Sequence, residues 1–281
     1  MQRNSQAFVD TFHVADRQKV FYRTWKAPGR PKAVMVIVHG FNSHSGYYQW
    51  AAERLTSDGF ETYALDLRGR GNSDGERFYI ADNNEIVSDI HRLVSMVREA
   101  HPHLPIFLFG HSAGGVLSTL FVLEHQESID GFICASFAYQ VPAPDFAIAV
   151  LKGLSHIAPH AHVLKLKNED FSRDQEVVAA MNRDPLIAHE IQPTKTVQQL
   201  ALADERLKNE FPNIGLPVLI LHGTMDKVTK PGGSQEFYDR VSSADKTLKL
   251  YEGHYHDLLN DFGREEVMGD ILKWLNERVS S

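Results

Sequence analysis

Apolar residues in this chain fall into short clusters, and the first of these, residues 33–38, is an unbroken Ala-Val-Met-Val-Ile-Val run. Such a run is typical of a strand that is covered on both faces of a parallel sheet. Five further strands are predicted at residues 61–65, 106–109, 131–135, 218–221 and 248–250. Helix-like stretches lie between them, at residues 47–57, 83–100, 114–125, 233–241 and 265–278. This alternation predicts an α/β fold with a mostly parallel central sheet flanked by helices.

The alternation of strand and helix fails between residues 141 and 195. This stretch contains Pro142, Pro144 and Pro159, and a polar segment follows at residues 167–174. Its apolar positions are Phe146, Ile148, Val150, Leu151, Leu154 and Ile157. We predict an inserted helical cap at residues 141–195, the cap segment, above a core domain formed by residues 1–140 and 196–281. The alternative is that the apolar stripe packs on the core domain like any amphipathic helix.

Composition narrows the possible partners. The chain has 281 residues, 43% of them apolar and 23% charged, as is usual for a soluble globular protein. Its net charge of −7 is spread along the chain without basic clusters, so no nucleic-acid partner is expected. Cys134 is the only cysteine, which excludes an intramolecular disulfide and favours a buried thiol in a reducing, cytoplasmic setting.

No segment of the sequence predicts membrane insertion. Residues 1–12 lack the apolar core of a secretory signal, and no run of about eighteen apolar residues occurs in the chain. We expect a soluble protein for which peripheral contact with lipid, through the cap segment, stays open. The sequence does not determine the oligomeric state.

A candidate nucleophile follows the predicted strand at residues 106–109. The pentapeptide there is Gly110-His111-Ser112-Ala113-Gly114, and a predicted helix follows it. Gly-x-Ser-x-Gly between strand and helix is typical of a nucleophile elbow, a tight turn that holds the serine hydroxyl above the sheet. The same pattern also occurs by chance in ordinary glycine turns. The position between strand and helix therefore carries the prediction that Ser112 is a nucleophile.

A serine nucleophile needs a base that is oriented by an acid, and in this fold the order along the chain is serine, acid, histidine. Asp226 follows the predicted strand at residues 218–221, so it lies where open parallel sheets gather their active sites. The alternative is a solvated loop aspartate. His254 and His256 both follow the last predicted strand, and spacing alone leaves both as candidate bases.

Two backbone N–H groups are predicted to form the oxyanion hole. Ala113 follows the nucleophile at the start of a helix, and Phe41 lies in the loop after the first predicted strand. The Phe41 ring either lines the acyl path or packs locally. His39 and His111 are poor candidate bases, because each lies in a loop whose backbone is the more useful part.

The glycine-rich stretch Asp66-Leu67-Arg68-Gly69-Arg70-Gly71-Asn72-Ser73 could be taken for a phosphate-binding loop. It lacks the Gly-Lys-Ser/Thr ending of a nucleotide-binding loop and the spacing of a dinucleotide fingerprint. We interpret it as a structural turn in which Asp66 and Arg68 stabilise loops beside the site. No zinc or calcium pattern is present, so neither a metal nor a cofactor is predicted.

The motifs taken together resemble the monoacylglycerol lipase and lysophospholipase branch of the α/β-hydrolases over residues 8–274. The resemblance rests on His39-Gly40, Asp66-x-Arg68-Gly69-x-Gly71-x-Ser73, Gly110-His111-Ser112-x-Gly114-Gly115, His222-Gly223-x-x-Asp226 and Tyr251-Glu252-Gly253-x-Tyr255-His256. Segments 172–174 (Ser-Arg-Asp) and 184–186 (Asp-Pro-Leu) are also similar to that family near its cap. The resemblance implies Ser112 as nucleophile, Asp226 as acid and His256 as base, with the amides of Phe41 and Ala113 as the oxyanion hole.

The chain also departs from this family at two positions. Many relatives have methionine where this chain has Ala113, and a small residue where it has Phe41. Neither change removes a backbone donor, but both alter the walls around the reacting carbonyl. The choice of substrate therefore follows less directly from the resemblance than the mechanism does.

The leading functional hypothesis is hydrolysis of a carboxylic ester with one long acyl chain, with monoacylglycerol as the first substrate to consider. A lysophospholipase and a short-chain carboxylesterase share the same triad and remain alternatives. A peptidase of the fold is a further alternative, although no extra domain that would select peptides is visible. A remote alternative of another class is a non-catalytic binding protein for a small apolar ligand, which would have no need of an intact triad.

Overall fold

A computed structural model of the chain describes residues 7–14, 17–139 and 154–279. The strands in this part of the chain are β1 Phe8–His13, β2 Lys19–Trp25, β3 Ala33–Val38, β4 Phe60–Leu65, β5 Ile106–His111, β6 Gly131–Ala135, β7 His162–Leu164, β8 Gln192–Pro193, β9 Val218–Gly223 and β10 Lys246–Tyr251. The helices with fully described bounds are α1 Gln49–Ser57, α2 Asn83–Ala100, α3 Ala113–His125, α4 Gln175–Arg183, α5 Thr194–Glu210, α6 Pro231–Arg240 and α7 Arg264–Val279.

Eight of these strands form one sheet in the order β1-β2-β4-β3-β5-β6-β9-β10. The six strands from β4 to β10 in that order pair in parallel, whereas β1 and β2 are antiparallel at one edge. The predicted mostly parallel sheet is confirmed, and each of the six predicted strands is present, four of them one to three residues longer than predicted. The parallel strands all end at the same edge of the sheet, which brings together the loops that follow β3, β5 and β9.

Strand β3 shows why its apolar run is unbroken. Val34, Val36 and Val38 face a core formed with α2 and α3, whereas Met35 and Ile37 face the opposite core with α1 and α7. All six residues of the strand are buried. A strand in the middle of the sheet therefore has no polar face, and each buried side chain of this size stabilises the fold by roughly 1.5–3 kcal/mol.

Helices cover both faces of the sheet, as predicted. Helix α2 has the predicted bounds, and its first turn is capped by the Asp82 side chain, which accepts from the Asn84 N–H at 2.9 Å. Helix α1 begins two residues later than predicted, because a 3₁₀ turn at Ser45–Tyr48 precedes it. Cys134 is buried and unpaired, which agrees with the predicted structural thiol.

The cap segment is described from residue 154 onward. Four of its predicted apolar positions, Phe146, Ile148, Val150 and Leu151, lie outside the described residues, as do Pro142 and Pro144. The described part contains α4 and a two-stranded ribbon of β7 and β8. Helix α5 begins at Thr194 and thus runs across the predicted end of the cap segment.

Apolar side chains from the cap segment also reach the core domain. Phe171, Met181 and Ile187 pack with Val228 in a small buried cluster. Among the residues that the structure describes, none of the helices is both long enough and apolar enough to cross a bilayer.

Candidate active site

Ser112 occupies the sharp turn between β5 and α3. Its backbone has φ 57° and ψ −123°, a left-handed conformation that is strained for a residue with a side chain. A Cβ on Gly114 would lie 2.3 Å from the carbonyl oxygen of His39, so only glycine fits at this position. The close approach of the β3 loop and the elbow explains why the pentapeptide needs a glycine two residues after the serine.

The three predicted triad residues meet at the carboxyl edge of the sheet. The Ser112 Oγ lies 2.8 Å from Nε2 of His256, and Nδ1 of His256 lies 2.7 Å from Oδ2 of Asp226. With Nδ1 donating to the carboxylate, Nε2 is left as the acceptor of the serine hydroxyl proton. This tautomer is the one that a general base requires.

The competing histidine, His254, lies elsewhere. Its Nδ1 is 3.2 Å from the Glu252 carbonyl oxygen, its ring packs against Tyr251, and its Nε2 is close to Gly263 before α7. Spacing could not separate the two histidines, because both follow β10 within five residues. The geometry brings His256 to Ser112 and turns His254 away.

Asp226 is held by a complete set of donors. Its Oδ1 accepts from the backbone N–H groups of Val228 at 2.7 Å and Thr229 at 2.9 Å. Its Oδ2 accepts from His256 and from the Thr229 hydroxyl at 2.9 Å, and His222 Nε2 lies 3.1 Å away. Burial opposes ionisation, but the two imidazoles and these hydrogen bonds outweigh it and hold the pKa of Asp226 well below its usual value. The carboxylate is therefore ionised at neutral pH.

The His256 ring is fixed from both sides and through its backbone. The Phe171 ring contacts it edge to face with centroids 5.0 Å apart, and the His111 ring lies 4.9 Å away. The His256 carbonyl oxygen accepts from the Ser136 hydroxyl at 2.6 Å and lies 3.2 Å from Nε2 of His111. Burial lowers the pKa of His111 to about 4, so this neighbour is neutral at pH 7. The His256 ring is thus held in place without a competing positive charge from His111.

The β3 loop, which carries Phe41, lies against the turn that carries Ser112. A Cβ on Gly40 would lie 2.7 Å from the Ser112 Cβ, which shows how closely the β3 loop approaches the elbow. Within the described residues, neither the Phe41 N–H nor the Ala113 N–H donates to another protein group. The Phe41 ring is buried against the Arg70 guanidinium, with 4.4 Å between the guanidinium carbon and the ring centroid. Of the two roles considered for this ring, local packing is the one seen.

The glycine-rich stretch after β4 is a structural turn. Asp66 is fully buried and accepts from the backbone N–H groups of Ser45 at 2.7 Å and Asn72 at 2.8 Å. Arg68 forms a bidentate pair with Asp89 of α2, with both contacts at 2.7 Å. These contacts agree with the interpretation of Asp66 and Arg68 as stabilisers of neighbouring loops.

His39 is part of the same scaffold. Its Nε2 accepts from the Leu67 N–H at 2.9 Å, and its Nδ1 lies 2.7 Å from the Gly40 carbonyl oxygen. Burial lowers the pKa of His39 to about 4, so the ring is neutral at pH 7 and ties the β3 loop to the turn after β4. This places His39 outside the proton-transfer chemistry.

Arg70 links the core domain to the cap segment. Its guanidinium donates to the Gln192 side chain at 2.7 Å and to the Phe78 carbonyl oxygen at 3.1 Å, and its Nε lies 3.4 Å from a Glu190 carboxylate oxygen. Both members of the Arg70–Glu190 pair are buried. The sequence did not predict this pair, because its two residues lie 120 positions apart.

The segment Ser172-Arg173-Asp174 forms a second link between the cap segment and the core domain. The Arg173 Nε donates to Asp261 at 2.8 Å, and the Ser172 hydroxyl donates to the Asn260 carbonyl oxygen at 2.8 Å. Asp257 donates its N–H to the Phe171 carbonyl oxygen at 2.8 Å. The loop that carries His256 is therefore bound directly to the segment that carries Phe171.

The chain is similar to known hydrolases in sequence and in fold. A family model described as serine aminopeptidase, S33, matches residues 29–262. A monoacylglycerol lipase of Mycolicibacterium smegmatis is 33% identical and aligns over 92% of each chain. A phospholipase of Bacillus subtilis is 28% identical over 87% of this chain and 95% of its own. The crystal structure of a Paleococcus ferrophilus monoacylglycerol lipase, 30% identical, covers 92% of this chain and 99% of its own with a TM-score of 0.83.

Proposed function

The chain belongs to the serine aminopeptidase S33 family of serine hydrolases, which have the α/β-hydrolase fold, and we propose that it hydrolyses monoacylglycerol at Ser112. The observation that supports this best is the unbroken line of hydrogen bonds from Asp226 through His256 to Ser112, with contacts of 2.7 and 2.8 Å. A buried carboxylate, a correctly protonated imidazole and a strained serine in register are the parts that acyl transfer needs.

In the proposed acylation step, the Ser112 Oγ attacks the ester carbonyl carbon while Nε2 of His256 takes the hydroxyl proton. The imidazolium that forms is stabilised by the Asp226 carboxylate. It then gives its proton to the leaving glycerol oxygen, which breaks the ester bond and leaves the acyl group on Ser112. In deacylation His256 takes a proton from water while the hydroxide attacks the acyl carbon. The bond between that carbon and the Ser112 Oγ then breaks, His256 returns the proton to Oγ, and the fatty acid is released.

The proposed oxyanion hole consists of the N–H groups of Phe41 and Ala113. Negative charge develops on the carbonyl oxygen in the tetrahedral intermediate, and two fixed donors stabilise it there. Both groups lack a protein acceptor within the described residues. The start of helix α3 adds a favourable dipole at Ala113.

The substrate class rests on the relatives. The Mycolicibacterium smegmatis protein is a monoacylglycerol lipase and aligns with nearly the full length of both chains, which favours a single acyl chain on glycerol. The Bacillus subtilis phospholipase supports a lysophospholipid as the second candidate. Because the family is described as serine aminopeptidase, an N-terminal peptide bond is the third candidate substrate to test.

Peripheral contact with lipid is part of the proposal. Ile157 is 85% exposed and Val163 is 39% exposed, and both belong to the cap segment. Exposed apolar side chains of this kind favour binding at the surface of a lipid aggregate, where a monoacylglycerol resides.

Fatty-acid release tests the proposal. The purified protein is incubated with monoacylglycerols of several chain lengths and with a lysophosphatidylcholine, and free fatty acid is measured. An aminoacyl p-nitroanilide is assayed in parallel for release of p-nitroaniline. We expect the highest kcat/KM on a monoacylglycerol and its loss in Ser112→Ala.

Ser243→Ala is the matched control, because Ser243 is also buried but lies at the amino end of β10, away from the carboxyl edge of the sheet. Preference for the lysophospholipid or the anilide would contradict the substrate and leave the mechanism intact. Full activity of Ser112→Ala would contradict the mechanism.

A further inference from the structure

We infer that His222 is a positioning residue of the reaction, a second histidine that binds the triad carboxylate and sets how strongly Asp226 attracts the proton on His256. This inference rests on the proposed function of Ser112, Asp226 and His256. His222 ends the β9 strand, four residues before Asp226, and its Nε2 lies 3.1 Å from the same Oδ2 that accepts from His256. Both imidazoles and the carboxylate side chain are fully shielded from solvent.

The partners of His222 fix its tautomer. Its Nδ1 lies 2.7 Å from the hydroxyl of Ser234, which is buried in the first turn of α6. A carboxylate oxygen can only accept, so Nε2 of His222 must carry a proton to bind Asp226. In a neutral ring Nδ1 is then an acceptor, and the Ser234 hydroxyl satisfies it. Helix α6 thereby holds the donor side of His222 toward the triad.

This donor has a direct consequence for His256. A second N–H bond to Oδ2 stabilises the negative charge of Asp226 and so reduces the attraction of that charge for an imidazolium. His222 also restricts the carboxylate to the orientation in which Oδ2 faces Nδ1 of His256, with the Thr229 hydroxyl as the third donor to the same atom. Removal of His222 should leave Asp226 less well oriented and more basic.

Titratable side chains approach His256 from the β9 side and from the elbow. Asp226, and His222 behind it, face the ring from the β9 side, and His111 faces it from the elbow. Asp257, the next residue in the chain, interacts with His111. Phe171, which covers the ring from the cap segment, carries no charge. In the part of the chain that the structure describes, His222 is thus the titratable side chain outside the triad that binds the carboxylate directly.

The test compares His222→Leu with His222→Gln on a soluble aryl ester over a range of pH. Leucine removes both hydrogen bonds, whereas the glutamine side chain can donate to Asp226 and accept from Ser234. Since hydrogen bonds to charged groups are among the stronger ones, we expect His222→Leu to lower kcat by roughly 10- to 100-fold, with KM within about twofold. The acid limb of kcat/KM should move to higher pH, because a more basic Asp226 holds the proton on the His256 imidazolium more strongly. His222→Gln should restore most of kcat and return the acid limb.

Two outcomes would overturn the inference. One is a His222→Leu variant with the kcat and acid limb of the wild type. The other is equal loss of kcat in the leucine and glutamine variants with an unmoved acid limb, which is the behaviour of a residue that only fills space. Either result, together with loss of activity in Ser112→Ala, would overturn the role of His222 and leave the proposed function standing. Full activity of Ser112→Ala would overturn both.

A second variant covers the case in which His222→Leu fails to fold. Ser234→Ala removes the hydroxyl that anchors Nδ1 of His222, so the ring is free to turn and its bond to Asp226 is weakened. We expect a smaller loss of kcat and a shift of the acid limb in the same direction. Ser243→Ala is the matched control, because Ser243 is also buried and its hydroxyl donates to the Asp245 carbonyl oxygen at 3.0 Å. This variant should change neither kcat nor the acid limb. An unmoved acid limb in Ser234→Ala would contradict the inference.

Discussion

The loops after β4 and β9 each hold a buried aspartate at the same edge of the sheet, but the two carboxylates are used differently. In the β4 loop, each carboxylate oxygen of Asp66 accepts from one backbone N–H, that of Ser45 or that of Asn72. In the β9 loop, Oδ1 of Asp226 accepts from two backbone N–H groups, whereas Oδ2 accepts from side chains. Burial and backbone anchoring are thus common to a structural and a chemical aspartate. A carboxylate oxygen that is bound by side chains, with an imidazole among them, is what distinguishes Asp226.

The largest effect should come from removing that oxygen. Asp226→Asn keeps the size of the side chain but cannot hold His256 with its proton on Nδ1, so we expect kcat to fall by roughly 10⁴-fold. The measurement is kcat on a soluble aryl ester, with near-ultraviolet circular dichroism to show that the variant is folded. A folded variant whose kcat lies within tenfold of the wild type would remove the distinction between the two loops.

The β4 loop should respond in stability instead, and most strongly at the Arg70–Glu190 pair. Both side chains are buried, so Glu190→Gln leaves the Arg70 charge without its ionic partner, and breaking such a pair typically costs about 3–5 kcal/mol. The double variant Arg70→Met, Glu190→Met should recover much of this loss, because no buried charge remains. Urea denaturation measures both, and a Glu190→Gln variant as stable as the wild type would show that the pair contributes nothing.

Asp66→Asn is the direct counterpart of Asp226→Asn. Its amide NH₂ would face one of the two backbone donors, so we expect a loss of about 1–3 kcal/mol in the free energy of unfolding. The kcat of the folded fraction should stay within a few-fold of the wild type, since Asp66 forms no hydrogen bond or ion pair with a triad residue among the described residues. Urea denaturation and ester kinetics on the same preparation test this. A 10⁴-fold loss of kcat would place Asp66 in the chemistry.

Protonation should change the stability gradually with pH, and this effect follows from two buried histidines. Burial lowers the pKa values of His39 and His111 to about 4, below the value of about 6.5 in the unfolded chain. The unfolded state therefore binds more protons between pH 4 and 6.5, and stability falls as the pH drops through this window. The slope is at most about 1.4 kcal/mol per pH unit for each histidine.

Urea midpoints at several pH values between 4.5 and 7.5 measure this slope. Asp226 has a depressed pKa, so its contribution is lost only at lower pH and does not disturb the window. A flat profile from pH 6.5 to 4.5 would contradict the neutral state assigned to the two histidines.

The sequence predicted the buried middle of the sheet better than its edge. Strand β3 has no polar residue, since both of its faces are covered, and its pattern needs no tertiary information. Strands β1 and β2 were not predicted, because their sequences, Phe8–His13 and Lys19–Trp25, mix polar and apolar residues at an exposed antiparallel edge. Helix α5 was missed at the end of the cap segment, where the alternation of strand and helix had already failed.

Within the candidate site, motif spacing predicted the residues that meet but not those that hold them. Ser112 and Asp226 follow strand ends, which local patterns place. Spacing alone left His254 and His256 open, because only the folded loop decides which ring faces the serine. The sequence around Phe171 and Thr229 contains no pattern that predicts a role in the site. His222 appeared only as one residue of the motif that ends at Asp226. Contacts such as Phe171 with His256 depend on chain segments 85 residues apart.

Covalent labelling of the nucleophile tests the central claim most directly. The wild type and Ser112→Ala are treated with a fluorophosphonate, digested, and mapped by peptide mass spectrometry. The account predicts one adduct in the wild type, on Ser112, and none in the variant. An adduct on another residue, or no adduct at all on a folded wild-type protein, would contradict it.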